Sequence, residues 1–181
     1  MDDDDALLSI RVRTDDDIDA CAAIARTVRE TDGYPAFLPG DDFTSFITPS
    51  NALGAWVATL GPGIVGHVAV RTSSAPAAME FAVSTLGVEA ASLAFVSRLM
   101  VVPHARRRGV ARELLRTAAA SIHELGRVAV LDVLVADIAA IALYRAEGWM
   151  QLGVTQFTSR AGQAFDEVVF LAPVPNGTAR S

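Results

Sequence analysis

A chain of 181 residues is long enough to bury one sizeable core. Its net charge of -6 and pI near 5.0 exclude extended nucleic-acid binding, which needs a basic face to displace counterions from phosphates. Apolar residues make up 51% and the mean hydropathy is +0.35, yet no run of about 18 uncharged apolar residues exists to span a bilayer, since even "VAVLDVLVADIAAIAL" is broken by Asp132 and Asp137.

The start, "MDDDDALLSI", is acidic where a secretory signal needs basic residues before its apolar region, so a cytoplasmic, soluble protein with no membrane partner is expected. "LLSIRVRT" then alternates as a half-buried strand does, and Thr14 with three aspartates supplies a cap and negative charge for a helix carrying Ile18, Cys21, Ala22, Ala25 and Val28. The segment "TDGYPAFLPGDDFTSFITPS", residues 31–50, reads as a surface cover with at most a short helix around Phe43 to Ile47. "AWVATL", the turn "GPG" and "IVGHVAVRT" read as a hairpin with Pro62 and Gly63 at the centre of a type II turn. "GPGIVG" also matches G-x-G-x-x-G, but strand-like residues follow it where a dinucleotide fingerprint requires a helix.

"SSAPAAMEFAVSTLGVEAAS" is small-residue loop or weak helix, and "LAFVSRLMVV" is an apolar strand that stops at Pro103. From Val110, residues Ala111, Leu114, Leu115, Ala118, Ile122 and Leu125 give one apolar helix face, ended by Gly126. "RVAVLDVLVA" is the next buried strand, "DIAAIALYRAEG" a short helix closed by Gly148, and "WMQLGVTQFT" with "AFDEVVFLAP" a closing hairpin. Strands alternating with helices between two antiparallel hairpins imply an α/β chain with a mixed sheet covered by helices on both faces.

Several chemistries are excluded by residue type. All fifteen basic residues are arginine, which removes Schiff-base chemistry and the phosphate-binding lysine of a Walker loop. The single cysteine, Cys21, cannot form an internal disulfide and has no histidine or basic neighbour to lower its pKa, so it reads as a buried structural thiol. His67, His104 and His123 lack metal-ligand spacing, and no metal is expected.

Six of the fifteen arginines nevertheless fall between Arg98 and Arg116. A helix starting near Val110 offers N–H groups without intrahelical partners and about half a positive charge, which attracts phosphate. Arg106, Arg107 and Arg108 would turn a concave row of N–H groups toward the same ligand, and Gly109 lacks the Cβ that would hold that ligand away. Ala111 keeps the next turn small. Together these residues describe a pyrophosphate cradle that needs no lysine.

The spacing Arg106-x-x-Gly109-x-Ala111, between the strand "SRLMVVP" and a helix, resembles the acyl-CoA loop of the GNAT superfamily of N-acetyltransferases, whose motif is Arg/Gln-x-x-Gly-x-Gly/Ala. "DIAAIALYRAEGW" is similar to that family's later segment, in which an Asn precedes an Ala-rich helix, a Tyr and a Gly-aromatic pair; Asp137 stands where Asn is usual. The resemblance implies a single acetyltransferase domain over 1–175 followed by a short tail, 176–181. It also implies a GNAT-like, mostly antiparallel sheet of about six to seven strands with two splayed parallel strands, "FVSRLMV" and "VAVLDVL", at the acyl-CoA site. Acetyl-CoA is then the co-substrate, with Leu99, Met100 and Val101 holding its pantetheine arm through the backbone, residues 106–111 (Val110 among them) its pyrophosphate, and Asp137 and Tyr144 completing the contact.

The same resemblance implies transfer of an acetyl group to a primary amine of a small molecule or peptide, with Tyr144 as the acid that protonates the departing thiolate. Glu80, Glu89 and His67 are the nameable bases, and none is assigned. Residues 31–50 occupy the acceptor side, where Asp32, Asp41 and Asp42 beside Tyr34, Phe37 and Phe43 would suit a cationic amine. The rival reading is a non-catalytic acyl-CoA-binding or sensing domain of the same fold. The acceptor's identity and homodimer formation stay open.

Overall fold

The computed structural model describes residues 7–159 and 162–174, so the expected tail 176–181 lies outside the described residues. In chain order the elements are β1 (Leu8–Val12), α1 (Ile18–Asp32), α2 (Phe43–Ile47), β2 (Ala52–Leu60), β3 (Gly63–Arg71), α3 (Pro76–Leu86), β4 (Leu93–Val101), α4 (Val110–Glu124), β5 (Val128–Leu134), α5 (Ile138–Ala146), β6 (Met150–Thr158) and β7 (Ala164–Leu171). The strands form one seven-stranded mixed sheet in the order β1-β2-β3-β4-β5-β7-β6, in which β4 and β5 run parallel with Leu93–Phe95 opposite Val128–Val130. This is the mixed sheet the alternation of elements predicts.

The turn between β2 and β3 differs from the expected one by a single position. Leu60 pairs with Gly63, leaving Gly61 and Pro62 as a two-residue loop, and it is Gly61 that takes the positive φ of 58°. A type II turn would splay two twisted strands, whereas a type II′ turn, with glycine first, matches their twist. The segment left open between loop and helix is α3, started by Pro76 at its first position.

The described residues divide into two compact units, one made of the residues up to Arg71 with Val96–Ala118, the other of Thr72–Phe95 with those from Ala119 onward. In the first unit α1 turns Cys21, Ile24, Ala25 and Val28 inward and packs on β3. Its entry is fixed by Asp17, whose carboxylate accepts two hydrogen bonds from Arg11, at 2.6 and 2.8 Å, and one from the Thr14 N–H at 2.8 Å. The Arg11 guanidinium holds that carboxyl well below the usual carboxylate range. Cys21 is fully buried and burial pushes its thiol up to about 11, an inert packing residue as expected.

The start of α4 lies against β3 in the same unit. A Cβ at Gly66 would meet Leu114 Cδ1 at 2.9 Å, the Met100 carbonyl oxygen at 3.0 Å and Val110 Cγ1 at 3.2 Å, so only glycine lets the helix approach so closely. In the second unit α3 packs on β6, and Ala78 and Ala82 close a core with Leu93, Phe95, Val130 and Val169.

Gly66→Ala should therefore destabilise the protein by about 1–3 kcal/mol, because one of the three obstacles is backbone that cannot rotate away. A denaturant melt reads this directly; a change within about 0.5 kcal/mol would show that the helix start is not seated as described.

Candidate active site

Helix α4 begins at Val110, which is buried, while Arg107, Arg108 and Gly109 before it are exposed. Arg107 and Gly109 have positive φ, 62° and 82°, so the chain reverses its handedness twice within three residues. A Cβ at Gly109 would meet no protein atom within 4 Å. The surface over this glycine is thus open, and the first N–H groups of the helix lie where the helix itself supplies no acceptor. The carbonyl of Gly109 accepts from the Glu113 N–H at 3.1 Å, the first bond of the helical ladder.

Arg106 works differently from its two neighbours. Its Nε donates to the Val101 carbonyl at 3.0 Å, and its two Nη atoms donate to the two oxygens of Asp32, the last residue of α1, at 3.1 and 2.5 Å. The side chain is a brace that ties the loop to β4 and α1, and it is thereby committed within the fold. Met100 and Val101 are buried and Leu99 half-buried, and the Val102 N–H donates to the Val65 carbonyl at 3.0 Å, fixing the end of β4 beside β3. The structure therefore brings Leu99, Met100 and Val101 together with Arg106 through Ala111.

Three residues before that end, the backbone of β4 takes a left-handed conformation. Arg98 has φ 54°, which a residue with a Cβ rarely adopts inside a strand. Its carbonyl accepts a hydrogen bond from Nδ1 of His67 at 3.1 Å, and Nε2 of His67 faces Arg13 Nη1 at 3.4 Å. A carbonyl can only accept, so Nδ1 carries the proton and Nε2 is the acceptor for Arg13. Burial pulls the His67 pKa down to about 4, and the ring is neutral at pH 7. Both nitrogens are committed within the fold, so His67 acts as a strut for that conformation and has no lone pair to offer a substrate. Glu80 and Glu89 are exposed.

The carboxylates of residues 31–50 are also engaged. Asp32 pairs with Arg106, Asp41 with Arg29, and Asp42 caps α2 by accepting from the Ser45 N–H at 2.9 Å. Of the aromatic residues there, Phe43 packs beneath Arg26, whose Cζ is 5.2 Å from the ring centroid. The acidic residues thus serve the loop's own folding, which removes the basis for reading them as a trap for cationic amines.

In the second unit Asp137 caps α5, its Oδ1 accepting from the Ala140 N–H at 3.1 Å. As a cap aspartate serves as well as asparagine, since both accept there, but an ionised carboxylate lacks the N–H donors of the amide. Tyr144 is buried on α5 between Trp149 and Phe170, with ring centroids 6.2 and 5.7 Å away. Glu167 of β7 carries a signal that sequence reading missed. Its Oε2 is buried without a hydrogen-bond partner, and burial, helped by the nearby Asp132 charge, pushes its pKa up to about 7. The pair Asp166-Glu167 ahead of an apolar run left open which of the two faces inward. Among the described residues no group of three or more His, Cys, Asp or Glu side chains is placed to hold a metal, and no helix is long and apolar enough to cross a membrane.

Comparison with known proteins bears on the family and the fold. The sequence model of the acetyltransferase (GNAT) family matches residues 23–149, more than half of the chain. The fold is similar to the crystal structure of the ribosomal-protein-S18-alanine N-acetyltransferase from Escherichia coli, at 17% identity and TM-score 0.66, covering 97% of this chain and 99% of that one. It is also similar to Arabidopsis thaliana NAA60 in complex with acetyl-CoA, at 20% identity and TM-score 0.69, covering 94% and 100%, and to an N-acetyltransferase from Staphylococcus aureus Mu50, at 16% identity and TM-score 0.66, covering 92% and 98%. No curated protein matches by sequence. With the family model spanning the strand, the arginine loop, α4 and the Tyr144 helix together, the chain belongs to the acetyltransferase (GNAT) family.

Proposed function

We propose that residues 1–175 act as one domain that transfers the acetyl group of acetyl-CoA to a primary amine by direct attack, in the cytoplasm. The observation that carries this reading is the open, twice-reversed loop Arg106–Ala111 at the start of a 15-residue helix, braced from behind by Arg106. Main-chain N–H groups of Arg107 through Ala111 hold the diphosphate, with Arg108 on the exposed rim. Acetyl-CoA supplies an activated thioester, and the backbone of Leu99, Met100 and Val101 orients it with an N–H toward its carbonyl oxygen, a donor worth about 3 kcal/mol in acyl transfer. Because that donor is backbone, substitution of those side chains leaves it in place.

The amine attacks as its free base, yet an aliphatic ammonium has a pKa near 10.4. Glu167 is the group whose titration suits removal of that proton, being ionised just above pH 7 and buried, with an oxygen unpartnered in the fold. Tyr144 donates a proton to the departing thiolate; its support is its match to the family's tyrosine. The non-catalytic acyl-CoA-binding reading would retain the loop and require neither group.

Tyr144→Phe should lower turnover at least about tenfold while acetyl-CoA binding, read by thermal shift, stays within about twofold. Equal turnover removes Tyr144 from the mechanism, and thiol release from no amine in a broad panel favours the non-catalytic reading.

Glu167→Gln separates a base from a structural carboxyl. The folded pKa lies above the ordinary carboxylate value of 4.5, so the stability it contributes is full below about pH 4.5 and is lost as pH rises through about 7. The variant should therefore melt higher than the parent at pH 8. As a base, Glu167 also gives kcat/KM an acid limb near pH 7, which the variant should lose together with about 100-fold in rate. A higher melting temperature with an unchanged pH-rate profile would leave Glu167 structural only.

A further inference from the structure

The guanidinium of Arg98 is left largely unanswered by the fold. Its Nε and Nη1 are buried with no hydrogen-bond partner, and among the described residues no carboxylate pairs with it. A buried donor left unmade costs about 1–3 kcal/mol, and more when charged. The left-handed backbone at the same residue adds strain of about 1–3 kcal/mol. Two penalties at one position, held in place by the buried strut of His67, mark a group kept ready for something absent from the fold.

The surroundings identify what that something is. The Arg98 Cζ lies 4.7 Å from the centroid of the Phe46 ring, a cation–π contact that supports the guanidinium on one side. Tyr34 meets the same ring edge-on, with centroids 5.9 Å apart. Both aromatic residues belong to the 31–50 segment that covers the acceptor side. The charges on neighbouring elements are positive or absent: Arg71 of β3, Arg13 and the neutral ring of His67. Arg71 also lines an open cleft with Ser45, Thr48 and Asn51, and is oriented by donating from Nε to the Asn51 Oδ1 at 2.9 Å. The carboxylates of the segment point elsewhere, to Arg106, Arg29 and the α2 cap.

From this arrangement we propose that Arg98 receives the carboxylate of the acceptor, so that the amine acetylated is that of a free amino acid and not a peptide N-terminus. The planar guanidinium matches two carboxylate oxygens in a way a lysine would not. Arg98 directly precedes Leu99, the first residue of the stretch that orients the thioester, so a carboxylate held there keeps an amine on the same small molecule at the reacting end of β4. Binding neutralises a buried charge that no described carboxylate pairs. The inference deepens the acetyl-transfer reading and rests on it for the reaction, though not for the carboxylate site.

The test compares free L-amino acids with their carboxamides as acceptors, using the parent protein, Arg98→Gln and Arg98→Gly; the glycine variant suits the positive φ and guards against misfolding. The parent should prefer the best acid over its amide by at least about 100-fold in kcat/KM, and both variants should lose that preference while the Kd for CoA stays within about twofold. Amides or peptide N-termini used as well as acids by the parent, or an acid preference that survives in both variants, overturns the proposal. If no acceptor releases thiol, titration of the same amino acids into the coenzyme-free protein decides the site alone: binding abolished in Arg98→Gln sustains it, and no binding to the parent ends it.

Discussion

Much of the first unit exists to let one helix begin at one place. Helix α4 must start at Val110 close against β3, and Gly66 permits this by presenting no side chain to Val110, Leu114 and the Met100 carbonyl. The chain arriving from β4 cannot enter the helix directly, so it passes Pro103, reverses handedness at Arg107 and again at Gly109, and only then turns helical. Such a loop would wander without support. Arg106 supplies it, joining the Val101 carbonyl to Asp32 at the end of α1. What results is a helix terminus preceded by an exposed, open glycine, with Arg107 and Arg108 exposed beside it and Arg106 as the brace. On the proposed reading a chain without lysine binds a diphosphate there, because the donors are peptide groups.

The same strand carries the second constraint. Between the core residues Leu93–Val96 and the residues next to the loop, β4 turns left-handed at Arg98, and the carbonyl of that residue is held by a fully buried neutral histidine. Burial of His67 is favourable only because both ring nitrogens have partners and the ring never needs to charge near neutral pH. A polar core residue thereby fixes a strained peptide, and the guanidinium of Arg98 lies over Phe46 of the segment 31–50, against which Tyr34 packs. The two proposals thus place coenzyme binding and acceptor selection on adjacent stretches of one strand.

The order of elements is legible in the sequence because each follows a local rule: alternation for the strands, the 3.6-residue stripe of Leu114, Leu115, Ala118 and Ile122 for α4, and Pro or Gly at most boundaries. The arginine loop is legible for the same reason, since its proposed role is local and its residues are contiguous. Legibility ends where local rules are degenerate or where partners are distant. Gly61-Pro62-Gly63 fits two turn types, and only the twist of the hairpin chooses between them. Asp32 is offered to a cationic amine because its partner Arg106 is 74 residues away, and His67 is only a nameable base because the Arg98 carbonyl that occupies it is 31 residues away. Glu167 is invisible beside Asp166, since two adjacent acids in a strand face opposite ways and composition does not say which is buried. The positive φ of Arg98 has no signature in "FVSRLMV" at all.

The central claim is that peptide N–H groups, not side chains, grip the diphosphate of the coenzyme. Its most direct measurement follows the backbone amide resonances of isotopically labelled protein as CoA is added, with CoA lacking its diphosphate-nucleotide half, pantetheine, as the comparison. The account predicts that the amides of Arg107 through Ala111 undergo large downfield shifts with CoA and none with pantetheine. Saturable CoA binding that leaves those amides unmoved would contradict it.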